Sequence, residues 1–415
     1  MNVNRILSIC NEEDATGGRE TQSDGEIYAV ETQPNTALNK LKHFLTAWWE
    51  QMEIDAMFVP VEQPDQTGIS LRVIKDPREL EMVNPFAPIM LINSAAAVES
   101  FIKDHPGKRL AAILRPCELR ALVELQKRHK VNPHSQAGDE PLPGAGENVT
   151  QEGRGGRLDS TTIQPCTVII GVDCPGTFSV NEYARRVVAQ GVDGLTREVL
   201  TYSVESGPVP GRGPGQWPGQ FRSACQLCDR PAPLGADIVI GTVGVVLRGY
   251  LLVIASDEEA DLSLKLSTTT DGLATEEQVI QREFAVGAVM NQRADRRKNL
   301  AREDSLDEKN FSSLLGLFAR CTLCADCLDA CPLYGGELAG MLGVNRLHQG
   351  GRPLLSELVG VSRWLVSCSG CGMCQEACEH SVTLSQLISA VSHRLRSELH
   401  YTAGDPLQRL PWEGA

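Results

Sequence analysis

Twelve of the fourteen cysteines in this 415-residue chain fall into patterns that could hold metal. Eight form two runs near the C-terminus: Cys321-x2-Cys324-x2-Cys327-x3-Cys331-Pro332 and Cys368-x2-Cys371-x2-Cys374-x3-Cys378. This spacing is one that binds [4Fe–4S] clusters. Three thiolates spaced by two residues can wrap one face of a cuboid cluster. The fourth, one helical turn further on, faces the other cluster. One cluster is therefore assigned to Cys321, Cys324, Cys327 and Cys378, and the second to Cys368, Cys371, Cys374 and Cys331. Two zinc knuckles are the competing reading, but a zinc site needs only four ligands and eight in two identical runs exceed that need. Pro332 follows the first run and Glu379 the second, which alters the local turn and not the ligand count.

Four more cysteines stand at expected strand ends. Residues 111–114 read as a strand, Arg115-Pro116-Cys117 as a turn and 118–129 as a helix. A helix N-terminus stabilises a thiolate, so Cys117 suits a cluster ligand or a reactive thiol. Cys174 follows a second buried strand at 167–172. If the two strands are parallel neighbours, both thiols converge at one edge of the sheet, and Cys225-x2-Cys228 could supply the rest of a site. Zinc at these four, or a lone structural thiol at Cys117, remain open readings. Cys166 reads as a small buried side chain at a strand start, and Cys10 has no assignment.

Composition narrows the classes. Net charge is −14, from 39 basic and 53 acidic residues, which argues against a nucleic-acid or anionic-membrane surface. No apolar run is long enough to cross a bilayer, so the chain is not expected to be an integral membrane protein. Residues 1–10 are too short and too quickly followed by acidic residues for a secretory signal. Cysteine-rich and unexported, the chain is expected in a reducing cytoplasm.

The elements that must position the cysteines follow from periodicity. Residues 1–34 are polar and read as an irregular lead. Leu38, Leu41, Leu45, Trp48 and Met52 recur at helical spacing after the capping pair Asn35-Thr36, with Trp48-Trp49 as core and rim. Strands are expected at 56–61, 89–92, 236–241 and 250–255, and a helix from Thr275 to about Met290. Residues 132–164 read as an inserted loop, and the Gly/Pro stretch 207–219 as loop and not as a dinucleotide fingerprint. Residues 293–308 mix both charge signs and suggest a solvated linker helix. Residues 354–366 look helical, and Leu384, Leu387, Ile388, Val391 and Leu395 form one apolar helix face. The fold class is α/β, a mixed sheet flanked by helices, followed by a mainly helical ferredoxin-type domain.

At the second set of cysteines the sequence resembles the coenzyme F-420 hydrogenase/dehydrogenase beta-subunit family. The matching pieces are Leu114-Arg115-Pro116-Cys117-Glu118-Leu119-Arg120-Ala121-Leu122, Gly171-Val172-Asp173-Cys174-Pro175-Gly176, Cys225-Gln226-Leu227-Cys228-Asp229 and Ala236-Asp237-Ile238-Val239-Ile240-Gly241. With the cluster domain attached, the layout is similar to formate dehydrogenase beta subunits. The resemblance implies a bound FAD, a third [4Fe–4S] cluster on Cys117, Cys174, Cys225 and Cys228, and a catalytic partner chain. It divides the chain into a lead (1–34), an FAD-binding α/β domain (35–290), a linker (291–310), a ferredoxin-type domain (311–400) and a tail (401–415).

No Gly-rich phosphate loop of the Rossmann type is present. The candidate FAD contacts are Asn93, Arg115 and the backbone at Gly241, with a helix cap and an ordinary salt bridge as the competing roles of Asn93 and Arg115. The expected function is an iron–sulfur flavoprotein subunit. It passes electrons between a catalytic oxidoreductase subunit, of formate dehydrogenase or hydrogenase type, and an acceptor such as coenzyme F-420, ferredoxin or a heterodisulfide-reductase-type partner. A relay with no substrate of its own is the alternative. No catalytic residue in the chain is assigned.

Overall fold

The computed structural model describes residues 26–63, 68–131, 167–201, 221–256, 260–303, 320–322, 324–334 and 355–413. Cys10, Cys166, the insert at 132–164 and the Gly/Pro stretch at 207–219 lie outside the described residues.

Eight strands form one mixed sheet in the order β3-β2-β4-β5-β6-β7-β1-β8. They are β1 (Ile27–Glu31), β2 (Ala56–Glu62), β3 (Ile69–Ile74), β4 (Leu110–Leu114), β5 (Thr167–Val172), β6 (Ile238–Gly241), β7 (Tyr250–Ala255) and β8 (Gly272–Leu273). β2, β4, β5 and β6 run parallel, and the outer strands are antiparallel. Every residue of β4 and β7 is buried. Such continuous apolar runs are what a sheet covered on both faces requires.

Period-two alternation sends the two faces to different helices. Ala111 and Ile113 join Met57, Val59, Ile170 and Val253 against α1 (Ala37–Met52), which contributes Leu41, Leu45, Trp48 and Trp49. Both tryptophans are buried, so Trp49 is core and not rim. Leu110, Ala112 and Leu114 pack the other way, on α2 (Ala95–Asp104) and α3 (Pro116–Val131). α4 (Val180–Leu200), kinked at Gly191, and α5 (Ser223–Leu227) follow β5, and α6 (Ala260–Thr269) follows β7.

The C-terminal part is helical: α8 (Asp326–Asp329), α9 (Leu355–Ser367), α10 (Met373–Glu376) and α11 (Leu384–Glu398). The two cysteine runs fold alike. The residue after the second cysteine of each is left-handed, Ala325 at φ 71° and Gly372 at φ 74°, and a one-turn helix carrying the third cysteine follows.

Four expectations are corrected. The lead holds β1, which is inserted between β7 and β8; its short alternation among polar neighbours hides it. Residues 89–92 are no strand, and Leu91 and Ile92 are exposed. The helix begun at 275 and the linker helix are one element, α7 (Glu276–Glu303), and Arg293 within it is buried. The tail is no loose end: Tyr401, Ala403 and Leu410 are buried against Val366.

Candidate cluster-binding centre

β4 and β5 are parallel neighbours in register, Leu114 opposite Gly171, so the chain leaves both strands at the same edge of the sheet. Cys117 lies in the first turn of α3, and Cys174 two residues beyond β5. Cys174 N donates to Pro231 O at 2.8 Å, which draws the segment after Cys228 to the same edge. Cys225 sits in α5, where its Sγ accepts from Thr177 N at 3.4 Å. All twelve described cysteines are free.

The mutual influence of the thiols sorts them into three sets. Burial raises Cys174 to about 11, with Cys225 the next cause and Cys228 a further one. Burial pushes Cys117 well above the ordinary thiol range, with Glu118 adding to it and Cys174 and Cys371 contributing. Cys327 is raised by burial and by Cys321, Cys324 and Cys378. Cys331 is raised to about 12 by burial, then by Cys371 and Cys368. Cys374 is raised by burial and then by Cys368, Cys371, Cys331 and, across the gap between sets, Cys327. Cys174 thus neighbours Cys225 and Cys228, Cys331 and Cys374 neighbour Cys368 and Cys371, and Cys327 neighbours Cys321, Cys324 and Cys378. Cys371 links the first to the second, and Cys327 links the second to the third.

The thiols so raised would be protonated when unliganded. Metal binding would release those protons and turn each of them into a charged donor. Cys228 is shifted the other way. Burial would raise it, but Arg120 and Arg293 more than offset burial, and the thiol is held below its ordinary value.

The donors are thiols, which suit iron–sulfur clusters and zinc alike. Among the described residues no three His, Cys, Asp or Glu side chains converge on a single metal ion. Tetrahedral zinc would draw its thiolates to within ~4 Å of one another, given Zn–S bonds of ~2.3 Å. The thiolates of a cluster bind different irons and stand wider. Donors toward sulfur are in place: Trp364 Nε1 to Cys331 Sγ at 3.3 Å and Gly370 N to Cys368 Sγ at 3.4 Å. Such donors tune iron–sulfur centres.

Between the inner set and the second set lies a sulfur-rich core. Met90, Cys371 and Met373 are buried together with Cys117 packed on them, and Met90 Sδ is 3.9 Å from Cys117 Sγ. Met90, Met373, Trp364 and the buried arginines 120, 222 and 293 escaped sequence reasoning. Their signal was helical spacing: Arg120 is three residues after Cys117, and Arg222 three before Cys225, which puts each beside its cysteine.

The three residues expected at FAD are otherwise engaged. Asn93 Oδ1 accepts from Ala95 N at 3.1 Å, a turn at the start of α2, and its Nδ2 reaches Cys117 O at 3.4 Å. Arg115 Nη2 donates to Ala87 O at 2.8 Å, with Glu118 at 3.8 Å. A Cβ at Gly241 would meet Arg282 Nε at 2.4 Å, so glycine is required there by the arginine that crosses it. Arg115, Asp173, Cys174 and Thr242 line a pocket with about 10 Å³ free, room for about one water. Small-molecule sites need ~300–1,000 Å³.

A mixed α/β sheet joined to a two-cluster iron–sulfur domain defines the class. Residues 317–379 match the family described as a 4Fe-4S dicluster domain, so the C-terminal part is a domain for two [4Fe–4S] clusters. The chain resembles, at 23% identity over 320 residues, the F420-dependent formate dehydrogenase subunit beta of Methanocaldococcus jannaschii, with 72% of this chain and 74% of the relative covered. Among solved structures, a chain of the F420-reducing [NiFe] hydrogenase complex from Methanosarcina barkeri is similar with a TM-score of 0.41 and 12% identity, covering 69% of this chain and 96% of that one. Among the described residues no helix is long and apolar enough to cross a membrane.

Proposed function

We propose that this chain is the electron-transfer subunit of an oxidoreductase complex of the F420-dependent formate dehydrogenase type. It would relay electrons between a catalytic partner and a soluble acceptor such as coenzyme F-420 or ferredoxin. The carrying observation is that α8 and α10, which carry Cys327 and Cys374, pack on each other, and that Cys117 packs on Cys371, so that three clusters would stand in a row. When bound, each [4Fe–4S] cluster supplies one-electron uptake and release.

The residues of the chain have separate tasks in this reading. Cys321, Cys324, Cys327 and Cys378 would hold the outermost cluster, since Cys321 and Cys324 are exposed. Cys331, Cys368, Cys371 and Cys374 would hold the middle one, and Cys117, Cys174, Cys225 and Cys228 the innermost. Met90 and Met373 fill the space between the last two and keep water out of it.

A bound FAD, implied by the family resemblance, would join hydride chemistry to the one-electron clusters. A relay without its own substrate gains from the finding that Asn93, Arg115 and Gly241 are all engaged within the protein. The test is electron paramagnetic resonance of the anaerobically purified, dithionite-reduced chain, with flavin determined on the same sample. Three interacting spin systems are expected. Signals that do not interact would overturn the row. One flavin per chain with reduction of F-420 supports the enzyme, and none supports the relay.

A further inference from the structure

Arg120 and Arg222 are each only 6% exposed, and among the described residues neither forms an ion pair with a carboxylate. Each spans the seam between the inner cysteines and the second C-terminal run. Arg120 Nε and Nη2 donate to Ser369 O at 3.0 and 2.9 Å, and Nη2 also reaches Cys228 Sγ at 3.5 Å. Arg222 Nε donates to Thr177 Oγ1 at 2.8 Å, while Nη1 meets Met373 Sδ at 3.4 Å and Nη2 meets Cys225 Sγ at 3.9 Å. One guanidinium therefore serves each half of the Cys225-x2-Cys228 pair.

A buried cation without a carboxylate needs another negative group. The groups they meet that can carry negative charge are the sulfurs of Cys228 and Cys225, at 3.5 and 3.9 Å. The seam is also tightly packed. A Cβ at Gly404 would lie 2.4 Å from Arg120 Cγ, and one at Gly372 would lie 2.3 Å from Ala224 Cβ. A fixed charge as buried as these two guanidiniums acts strongly.

We propose that Arg120 and Arg222 are positioning residues that hold the 368–374 segment against the inner thiolates and, by their charge, raise the reduction potential of the inner cluster above what its burial alone would give. Reduction adds a negative charge beside two fixed positive ones, so the reduced form is favoured. This rests on the reading that Cys117, Cys174, Cys225 and Cys228 hold a cluster.

The test is a redox titration of each cluster signal, followed by electron paramagnetic resonance, in full-length wild type, Arg120→Gln, Arg222→Gln and the two Lys variants. The inner signal is identified by its loss in Cys117→Ser. Each Gln variant should lower the inner cluster's equilibrium constant for reduction about tenfold, ~59 mV for one electron. The signal of the Cys321 set should not move, and the Lys variants should return to the wild-type potential. An unshifted inner signal in Gln variants with full iron overturns the proposal. So does a Lys variant that keeps its iron but has the lowered potential. If a Gln variant loses the inner cluster, retention of iron and wild-type potential in its Lys partner supports the proposal, and equal loss in both overturns it. Eight irons per wild-type chain would instead sink the reading on which the proposal rests.

Discussion

Asp173 stands next to Cys174 in the sequence and fixes the turn that presents it. Its Oδ2 accepts from Thr242 N at 2.8 Å, Val243 N at 3.1 Å and Arg282 Nε at 3.0 Å, and its Oδ1 accepts from Arg282 Nη2 at 2.6 Å. Both partners of the pair are buried. Breaking such a pair from one side leaves an uncompensated charge and costs ~3–5 kcal/mol. Asp173→Asn should lose about that much in anaerobic urea unfolding, and adding Arg282→Met should recover part of it. A double variant no more stable than the single one would contradict this account of the turn. The cysteine in Val172-Asp173-Cys174-Pro175 was legible as a ligand candidate from its place after a strand. The work of the aspartate was not, because its partner Arg282 lies 109 residues away in the sequence.

At the scale of elements, the strap after α11 closes the molecule. Tyr401 Oη donates to Glu124 Oε1 at 2.6 Å, and Gly404 N donates to the same oxygen at 2.7 Å. Arg230 Nη1 donates to Ala403 O at 2.9 Å. α3, which begins beside Cys117, is thus tied by its middle to the strap. A hydrogen bond to a buried charged group is worth ~1.5–3 kcal/mol. Tyr401→Phe should destabilise the protein by that amount in the same unfolding assay, and a loss near zero would remove the strap's role. The strap reads as a tail because a Gly/Pro-rich segment with little periodicity looks loose. Only the buried Glu124, itself inside an apolar helix face, hints that something must come to it. By contrast, the parallel strands, α1 and α11 were plain from their patterns, since each buries a continuous run or a single face. β1 and β8 were not, because strands of five and two residues carry too little alternation to detect.

At the scale of the whole molecule, exposure sets the Cys321 set apart from the other two. Cys321 and Cys324 are exposed, Cys371 is buried, and the inner four are partly covered. Brief exposure of the purified protein to air should therefore strip the Cys321 set first. Iron should fall by about four per chain while the inner signal persists. Loss of the inner signal first would contradict this arrangement. The two C-terminal clusters were legible from spacing alone, because their ligands are local in sequence. The inner set needed the sheet, since register between β4 and β5 is what brings residues 117 and 174 to one edge. Iron and acid-labile sulfide, counted per chain on protein purified without oxygen, test most directly whether twelve cysteines hold three clusters. The account predicts about twelve of each in wild type and about four fewer in Cys225→Ser/Cys228→Ser, with the Cys321 and Cys368 signals retained. Eight of each in wild type, unchanged by that double substitution, would contradict it.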